Sequence, residues 1–387
     1  MPVTPEIARE ADTLTAIRHD IHAHPEIGFE ETRTAALVAE RLRAWGADEV
    51  HEGIGTTGVV GIVRGRGASN RSVGLRADMD ALPIHEATGL PYASTIPGKM
   101  HACGHDGHTT MLLGAAQYLC ATRNFSGTAV LIFQPAEEGL GGARRMLADG
   151  LFTRFPCDEA YGIHNNPGAP HGQVGVKPGP AMAGASFFDI TIEGLGSHAA
   201  MPHQGRDPIV VAAALVQEMQ TIVSRNLPAT SAAVLSITQL HAGSAYNVVP
   251  DRAVLSGTIR WFEHSIRDLI HDRIEALCTG LGQAHGVTIT PDLRNAFDVL
   301  VNDADLSREY LAAAADVVGA DNTQETTTRR MGSEDFADML HVVPGAYCTL
   351  GQHGSVPLHN PAFVLDDDCL PVGASILARI VERRLPL

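Results

Sequence analysis

The sequence predicts an α/β fold: a mixed, mostly parallel sheet flanked by helices and interrupted by an inserted α+β block. Three observations carry this expectation. Short apolar runs alternate with helical patterns along both ends of the chain, as strands joined by crossover helices do. Carboxylates and histidines follow several of these runs directly, and in such sheets ligands bind beyond the carboxyl ends of the strands. Composition shifts near Pro178-Gly179-Pro180, a plausible hinge, and a compact strand–helix–strand–strand–helix (βαββα) block follows.

Taken in order, residues 6–22 have the spacing of an amphipathic helix that ends near His24-Pro25-Glu26. Residues 32–45 form a second, with Thr34, Ala35, Leu37, Val38 and Leu42 on its apolar face and Gly46 as the stop. Runs 58–63 and 72–76 read as strands separated by a Gly/Ser/Asn turn, and the second leads into Ala77-Asp78-Met79-Asp80. A helix over 106–121, a strand over 128–133, the segment Gln134-Pro135-Ala136-Glu137-Glu138 and a helix through Leu147 follow. The apolar run 159–163 ends at His164. Beyond the hinge come a strand (186–192), a helix (207–225), strands (233–240 and 252–261) and a helix (265–285). Strand–helix alternation resumes near Val287, and a helix over 372–384 closes the chain. The expected division is therefore 1–182 with 291–387 in one domain and 183–290 in the other.

Composition narrows the function classes. The 387 residues carry 28 basic and 44 acidic side chains, a net charge of −16. Nucleic acid and anionic membranes both reward positive charge, so neither is an expected partner. The most apolar helical run, 208–216, is too short to span a bilayer. Met1-Pro2-Val3-Thr4-Pro5-Glu6 lacks a basic stretch followed by an apolar core, so no signal peptide is expected. The cysteines at 103, 120, 157, 278, 348 and 369 have no disulfide-scaffold spacing, which suits a reducing cytoplasm.

The chemistry concentrates in Met100-His101-Ala102-Cys103-Gly104-His105-Asp106-Gly107-His108. Cys103 and His105, one residue apart on a loop leading into a helix, can face one point, and a thiolate with an imidazole suits Zn²⁺ or another borderline divalent ion. Taken alone, the stretch also reads as a His-rich surface loop in a chain with 19 histidines. Glu138, His164 and His359 bring the candidate ligands to five, more than one tetrahedral catalytic ion needs. Two ions about 3.5–4 Å apart with a bridging group would use them all. Adjacent side chains in an extended segment point to opposite sides, so Glu138 can bind metal while Glu137 takes a proton from water and passes it to a leaving amine. Asp78 and Asp80 are candidates to orient ligating imidazoles through their second N–H; capping of the next turn is the plainer reading. His101 and His108 read as supporting or packed histidines.

The chain resembles the di-metal aminoacylase/carboxypeptidase amidohydrolases, in the branch of the hippurate hydrolases and indole-acetyl-amino-acid hydrolases. His24-Pro25-Glu26, Arg76-Ala77-Asp78-Met79-Asp80-Ala81-Leu82-Pro83, His101 to His108, Gln134-Pro135-Ala136-Glu137-Glu138 and Gly332-Ser333-Glu334-Asp335-Phe336 carry the resemblance. It implies a zinc-exopeptidase-like catalytic domain interrupted by a lid that also dimerises. Cys103, His105, Glu138, His164 and His359 would hold two divalent ions, Mn²⁺ or Zn²⁺ first, Co²⁺ or Ni²⁺ next, with Glu137 as general base. Other branches place carboxylates where Cys103 stands. Glu193-Gly194-Leu195-Gly196-Ser197-His198 resembles the lid motif whose histidine reaches the substrate carbonyl in the partner subunit's site, here His198; Leu195 and Ser197 depart from the lysine and glycine frequent there. Asn247 and Arg260 fall where the family holds the substrate carboxylate, a task the planar guanidinium fork suits; a surface salt bridge is the alternative for Arg260.

The implied activity is hydrolysis of N-acyl amino acids by a cytoplasmic homodimer joined through the lid, or a tetramer built on it. A dipeptidase or carboxypeptidase and an N-carbamoyl-amino-acid hydrolase are rivals on the same scaffold. A catalytically silent binding relative would have no use for Glu137, and a cysteine amidase built on Cys103 and His105 would leave Glu138, His164 and His359 unexplained.

Overall fold

The computed structural model describes residues 3–387, so Met1 and Pro2, part of the stretch read for a leader, lie outside it. The chain divides into two compact units. The first comprises residues up to Ala181, Leu300–Arg329 and Asp335–Leu387; the second comprises Met182–Val299 and Arg330–Glu334.

The first unit is built on eight strands: β1 (Glu49–Ile54), β2 (Gly58–Arg64), β3 (Gly67–Asp78), β4 (Ser126–Gln134), β5 (Glu159–Asn166), β6 (Val174–Val176), β7 (Thr323–Glu325) and β8 (Gly345–Gly351). Their order is β1-β2-β4-β3-β5-β8-β6-β7. The central strands β4, β3, β5 and β8 are mutually parallel, whereas β1, β2 and β6 join antiparallel to their inner neighbours. The register sets Asp78 beside Gln134 and His164 beside Thr349, so the carboxyl ends of the parallel strands share one edge.

The helix His105–Thr122 is buried over most of its length because it lies between that sheet and the closing helix Cys369–Arg384. Glycines permit the close crossing. A Cβ on Gly114 would come within 2.9 Å of the Ala374 Cβ, and one on Gly373 within 2.3 Å of the Met111 sulfur. Leu14, Ile17 and Ile21 of the helix Ala11–Ala23 enter the same core. The N-terminal helix expected over 6–22 is two pieces, Pro5–Ala8 and Ala11–Ala23, and β1 was not anticipated because only Ile54 in it is buried.

The second unit is an antiparallel sheet in the order Val234–Ala242, Arg252–Trp261, Gly184–Glu193, Thr288–Phe297. The helices Pro208–Thr221 and His264–His285 bury Val211, Leu215, Met219, Ile270 and Ile274 against Ile190, Leu255 and Ile259. Asp207 caps the first of these helices by accepting from Ile209 N at 2.9 Å, with Pro208 at the first helical position. The expected boundary at residue 290 is corrected. Thr288–Phe297 pairs along its length with Gly184–Glu193, which carries the unit to Val299. Pro291 sits on this strand, and it is an edge strand, where proline is tolerated. Among the described residues, no helix is long and apolar enough to cross a membrane.

Candidate metal centre

Four parallel strands deliver the first unit's candidate residues to one edge. β3 ends at Asp78 with Asp80 just beyond, β4 is followed by Glu137 and Glu138, β5 carries His164 near its end, and β8 leads to the segment bearing His359. Cys103 and His105 reach the same edge from the amino end of the His105–Thr122 helix. The turn before that helix requires Gly104. Its φ is +99°, and an added Cβ would lie 2.4 Å from Asn165 Oδ1.

The five candidate ligands converge. Cys103 Sγ lies 3.4 Å from His164 Nε2, His359 Nε2 lies 3.2 Å from Glu138 Oε1, and His105 Nε2 lies 3.9 Å from that same oxygen. The donor atoms of Cys103, His105 and His164 fall within 4.8 Å of one another, as do those of Cys103, Glu138 and His359 and those of His105, Glu137 and Glu138. Two of these triads share Cys103. His105 Nε2 is buried without a hydrogen-bond partner, a costly state for a polar atom that a bound cation would relieve. Thiol, imidazole and carboxylate together are donors suited to borderline divalent ions, so the residues present fit a metal.

Surrounding groups orient these donors. His105 Nδ1 donates to Asp80 Oδ1 at 3.1 Å, and Asp80 Oδ2 accepts from Glu138 N at 3.0 Å. His164 Nδ1 donates to Asn165 O at 2.7 Å, which leaves Nε2 facing Cys103. Asp78 differs from Asp80. Its Oδ1 accepts from His108 Nδ1 at 2.7 Å and its Oδ2 from Arg76 Nη1 at 2.7 Å, so the imidazole it orients is that of His108, while His105 Nε2 stands 3.8 Å away. His108 in turn meets Asn165 Oδ1 through Nε2 at 2.8 Å and is fully buried.

Burial opposes ionisation of Asp78, but His105, His108 and Arg76 outweigh it and hold its carboxyl well below the usual range. Burial likewise opposes a charge on His105, and Asp78, the Cys103 sulfur and Asp80 together raise it well above an ordinary imidazole. Burial and the nearby Glu138 push the Cys103 thiol up; a coordinated ion would reverse this, since a coordinating thiol is deprotonated.

Several supporting residues act through partners that local sequence does not reveal. Arg76 donates to Gln134 Oε1 at 2.8 Å and to Asp335 Oδ1 at 3.2 Å, and Gln134 Nε2 donates to Asp335 Oδ1 at 2.6 Å. Asp335 also accepts from Ala143 N at 2.9 Å, and its own N–H donates to Glu137 Oε1 at 3.4 Å. Glu31, fully buried, accepts from Ala136 N at 2.8 Å and from the Thr57 hydroxyl at 2.6 Å, and so fixes the turn leading to Glu137. His22 donates to Asp106 Oδ2 at 2.8 Å beneath the His105 turn. Most of these residues sit inside motifs that were legible, but their partners lie up to 259 residues away, beyond what local spacing reports.

His198, Asn247 and Arg260 belong to the second unit. The short ladder of Ser197–His198 against Val248–Val249 pairs His198 with Val248, and Ala199 N donates to Asn247 O at 3.0 Å, so His198 and Asn247 are neighbours. Arg260 donates through Nη1 to Ser333 Oγ at 2.5 Å, and its burial lowers its pKa.

A model of the peptidase family M20/M25/M40 matches residues 74–383. The chain belongs to this family. It is 40% identical to hippurate hydrolase from Campylobacter jejuni over 385 residues, covering 100% of both chains. It is 36% identical to N-acetylcysteine deacetylase from Bacillus subtilis, covering 95% of each. A Bacillus subtilis protein described as a dinuclear metal-binding peptidase of the M20 family superposes with a TM-score of 0.83 at 33% identity, covering 98% of this chain and 99% of that one. The α/β fold of the first unit, with its mostly parallel sheet between helices, is thus the M20 fold.

Proposed function

We propose that this M20/M25/M40 member is a two-metal amidohydrolase that cleaves N-acyl amino acids to a carboxylic acid and a free amino acid. The observation that carries the reading is the convergence of Cys103, His105, Glu138, His164 and His359 beside a second carboxylate, Glu137, with His105 Nε2 buried and without a hydrogen-bond partner. The similarity to hippurate hydrolase and N-acetylcysteine deacetylase directs it to acylated amino acids. Divalent ions bound there would lower the pKa of water and polarise the amide carbonyl. Zn²⁺ and Mn²⁺ suit the donor set first, Co²⁺ and Ni²⁺ next.

The residues of the chain then divide the work. Glu137 accepts a proton from the attacking water and delivers it to the departing nitrogen. Asp80 keeps the His105 imidazole turned so that Nε2 faces the pocket, and the Asn165 carbonyl does the same for His164. His198 donates to the developing oxyanion, in the partner subunit's site of a lid-joined homodimer. Asn247 and Arg260 hold the substrate carboxylate. A cytoplasmic location accords with six free cysteines.

The deciding experiment is a hydrolysis screen of N-acetyl, N-benzoyl, N-indoleacetyl and N-carbamoyl amino acids and of dipeptides, with Mn²⁺, Zn²⁺, Co²⁺ and Ni²⁺. Release of free amino acid from at least one N-acyl class, abolished by chelation, is expected. Turnover of dipeptides or N-carbamoyl amino acids alone would replace the proposed substrate class.

A further inference from the structure

Away from the centre just described, a second set of donors closes around one point. His171 lies on the segment after β5, His353 stands two residues after β8, Asp366 ends the following loop, and Cys369 begins the helix Cys369–Arg384. Asp366 Oδ2 is 3.4 Å from His171 Nδ1 and 2.6 Å from His353 Nδ1, and Cys369 Sγ is 3.6 Å from His171 Nδ1. The donor atoms of His171, Asp366 and Cys369 all lie within 4.8 Å of one another. The His171 and His353 rings are stacked, with centroids 4.6 Å apart and planes inclined by 7°.

These separations have a metric meaning. In a tetrahedral zinc site, bonds of about 2.0–2.1 Å to nitrogen or oxygen and about 2.3 Å to sulfur put ligand atoms roughly 3.4 Å apart for N–O edges and roughly 3.6 Å for N–S edges. The Nδ1–Oδ2 and Nδ1–Sγ separations of His171 fall on those edges, whereas the 2.6 Å between His353 Nδ1 and Asp366 Oδ2 is a hydrogen bond that an ion would replace. His171 Nδ1 faces both the Asp366 carboxylate and the Cys369 sulfur, and one ring nitrogen carries one proton at most. Cys369 is fully buried, and its thiol donates to Gly351 O at 3.5 Å. A cleft of about 330 Å³, lined by His353, Val356, Ala362, Val364 and Asp366, leads to the cluster and offers a route for an ion.

We propose that His171, Asp366 and Cys369, with His353 as the fourth ligand, form a zinc-class metal site separate from the catalytic centre. His353 is mostly exposed and can turn its ring to complete the tetrahedron. The ligands come from three stretches of chain, and two of them bracket the 353–366 loop that carries His359. An ion here staples both ends of that loop to the segment trailing β5. Its role is structural: it fixes the support of His359 and takes no part in the reaction.

The test is metal stoichiometry on the full-length protein, loaded with Zn²⁺, desalted, and analysed by plasma mass spectrometry. Wild type is expected to carry one ion per chain more than His171→Ala and one more than Cys369→Ser. His353→Ala, a surface change, is expected to release that ion at lower chelator concentration than wild type. His171 is partly exposed, so its replacement by alanine decides the matter even if the buried Cys369→Ser variant fails to fold. Equal ion counts in wild type and His171→Ala, with the same chelator dependence, would show a hydrogen-bonded cluster only and overturn the proposal. Because the readout is an ion count and not turnover, it is independent of whether the Cys103–His359 centre acts on N-acyl amino acids.

Discussion

His105 gives its Nδ1 proton to Asp80 at 3.1 Å, and this one bond leaves its Nε2 buried, without a hydrogen-bond partner, 3.9 Å from Glu138 Oε1. Asp80 also accepts from the Glu138 backbone, so a single carboxylate sets two of the candidate ligands. Removing it should therefore disturb metal binding before anything else. Asp80→Ala is expected to weaken the affinity of the centre by ~10–100-fold, measured by competition with a chromogenic chelator. Unchanged affinity would mean that the His105 ring is held by packing alone.

Glu137 lies beside the ligand set and is buried. If it moves the proton, Glu137→Gln keeps near-full metal content and loses kcat by ~10² or more. Metal analysis and turnover on the same preparation check this, and intact activity would remove Glu137 from the proton path.

Cys103 tests the centre without an assay of activity. As a metal ligand it is shielded from alkylating reagents in the loaded protein and labelled after chelation. Labelling at equal rates in both forms, followed at Cys103 by peptide mass spectrometry, would exclude it as a ligand.

The proposed reach of His198 into a partner's site is open to complementation. His198→Ala and Glu137→Gln homodimers are each expected to be nearly inactive. After dissociation and reassociation, a mixed dimer has one site with both residues intact and one with neither, so random pairing returns about a quarter of wild-type activity. No recovery, with exchange verified by mass, would confine His198 to its own chain or to no catalytic role.

The buried pair of His22 and Asp106 makes stability depend on pH. Burial disfavours the charged imidazole, but the hydrogen bond and charge of Asp106, with Glu86 behind them, raise its pKa from 6.5 to about 9. A raised histidine pKa contributes stability fully present below the unfolded value and lost as pH rises through the folded one. The window is therefore pH 6.5 to 9, and the contribution is about 3 kcal/mol at its lower edge. Denaturant unfolding of wild type and His22→Gln should show a gap at pH 6 that narrows by pH 9. A constant gap would assign the effect of His22 to packing.

The chain's own order determined much of this protein. Apolar runs ending in Asp78, Glu137-Glu138 and His164 already placed the candidate residues at strand ends, because a parallel sheet aligns the carboxyl ends of its strands whichever strands are neighbours. Cys103 and His105, one residue apart before a helix, and the adjacent Glu137 and Glu138 had a donor chemistry legible at short range. Tertiary structure decided what depends on partners distant in sequence. Thr288–Phe297 joined the second unit because its ladder partner is Gly184–Glu193, about a hundred residues earlier, a pairing that local periodicity cannot report. Glu49–Ile54 became a strand through pairing with β2 rather than through any apolar alternation of its own. Asp78 and Asp80, two residues apart and alike in sequence, parted roles once the fold set His108 against one and His105 against the other. The grouping of His171 with His353, Asp366 and Cys369 was likewise unreadable until β5 and β8 lay side by side, because a hydrogen bond or a metal joins side chains by proximity in space and is indifferent to the length of chain between them.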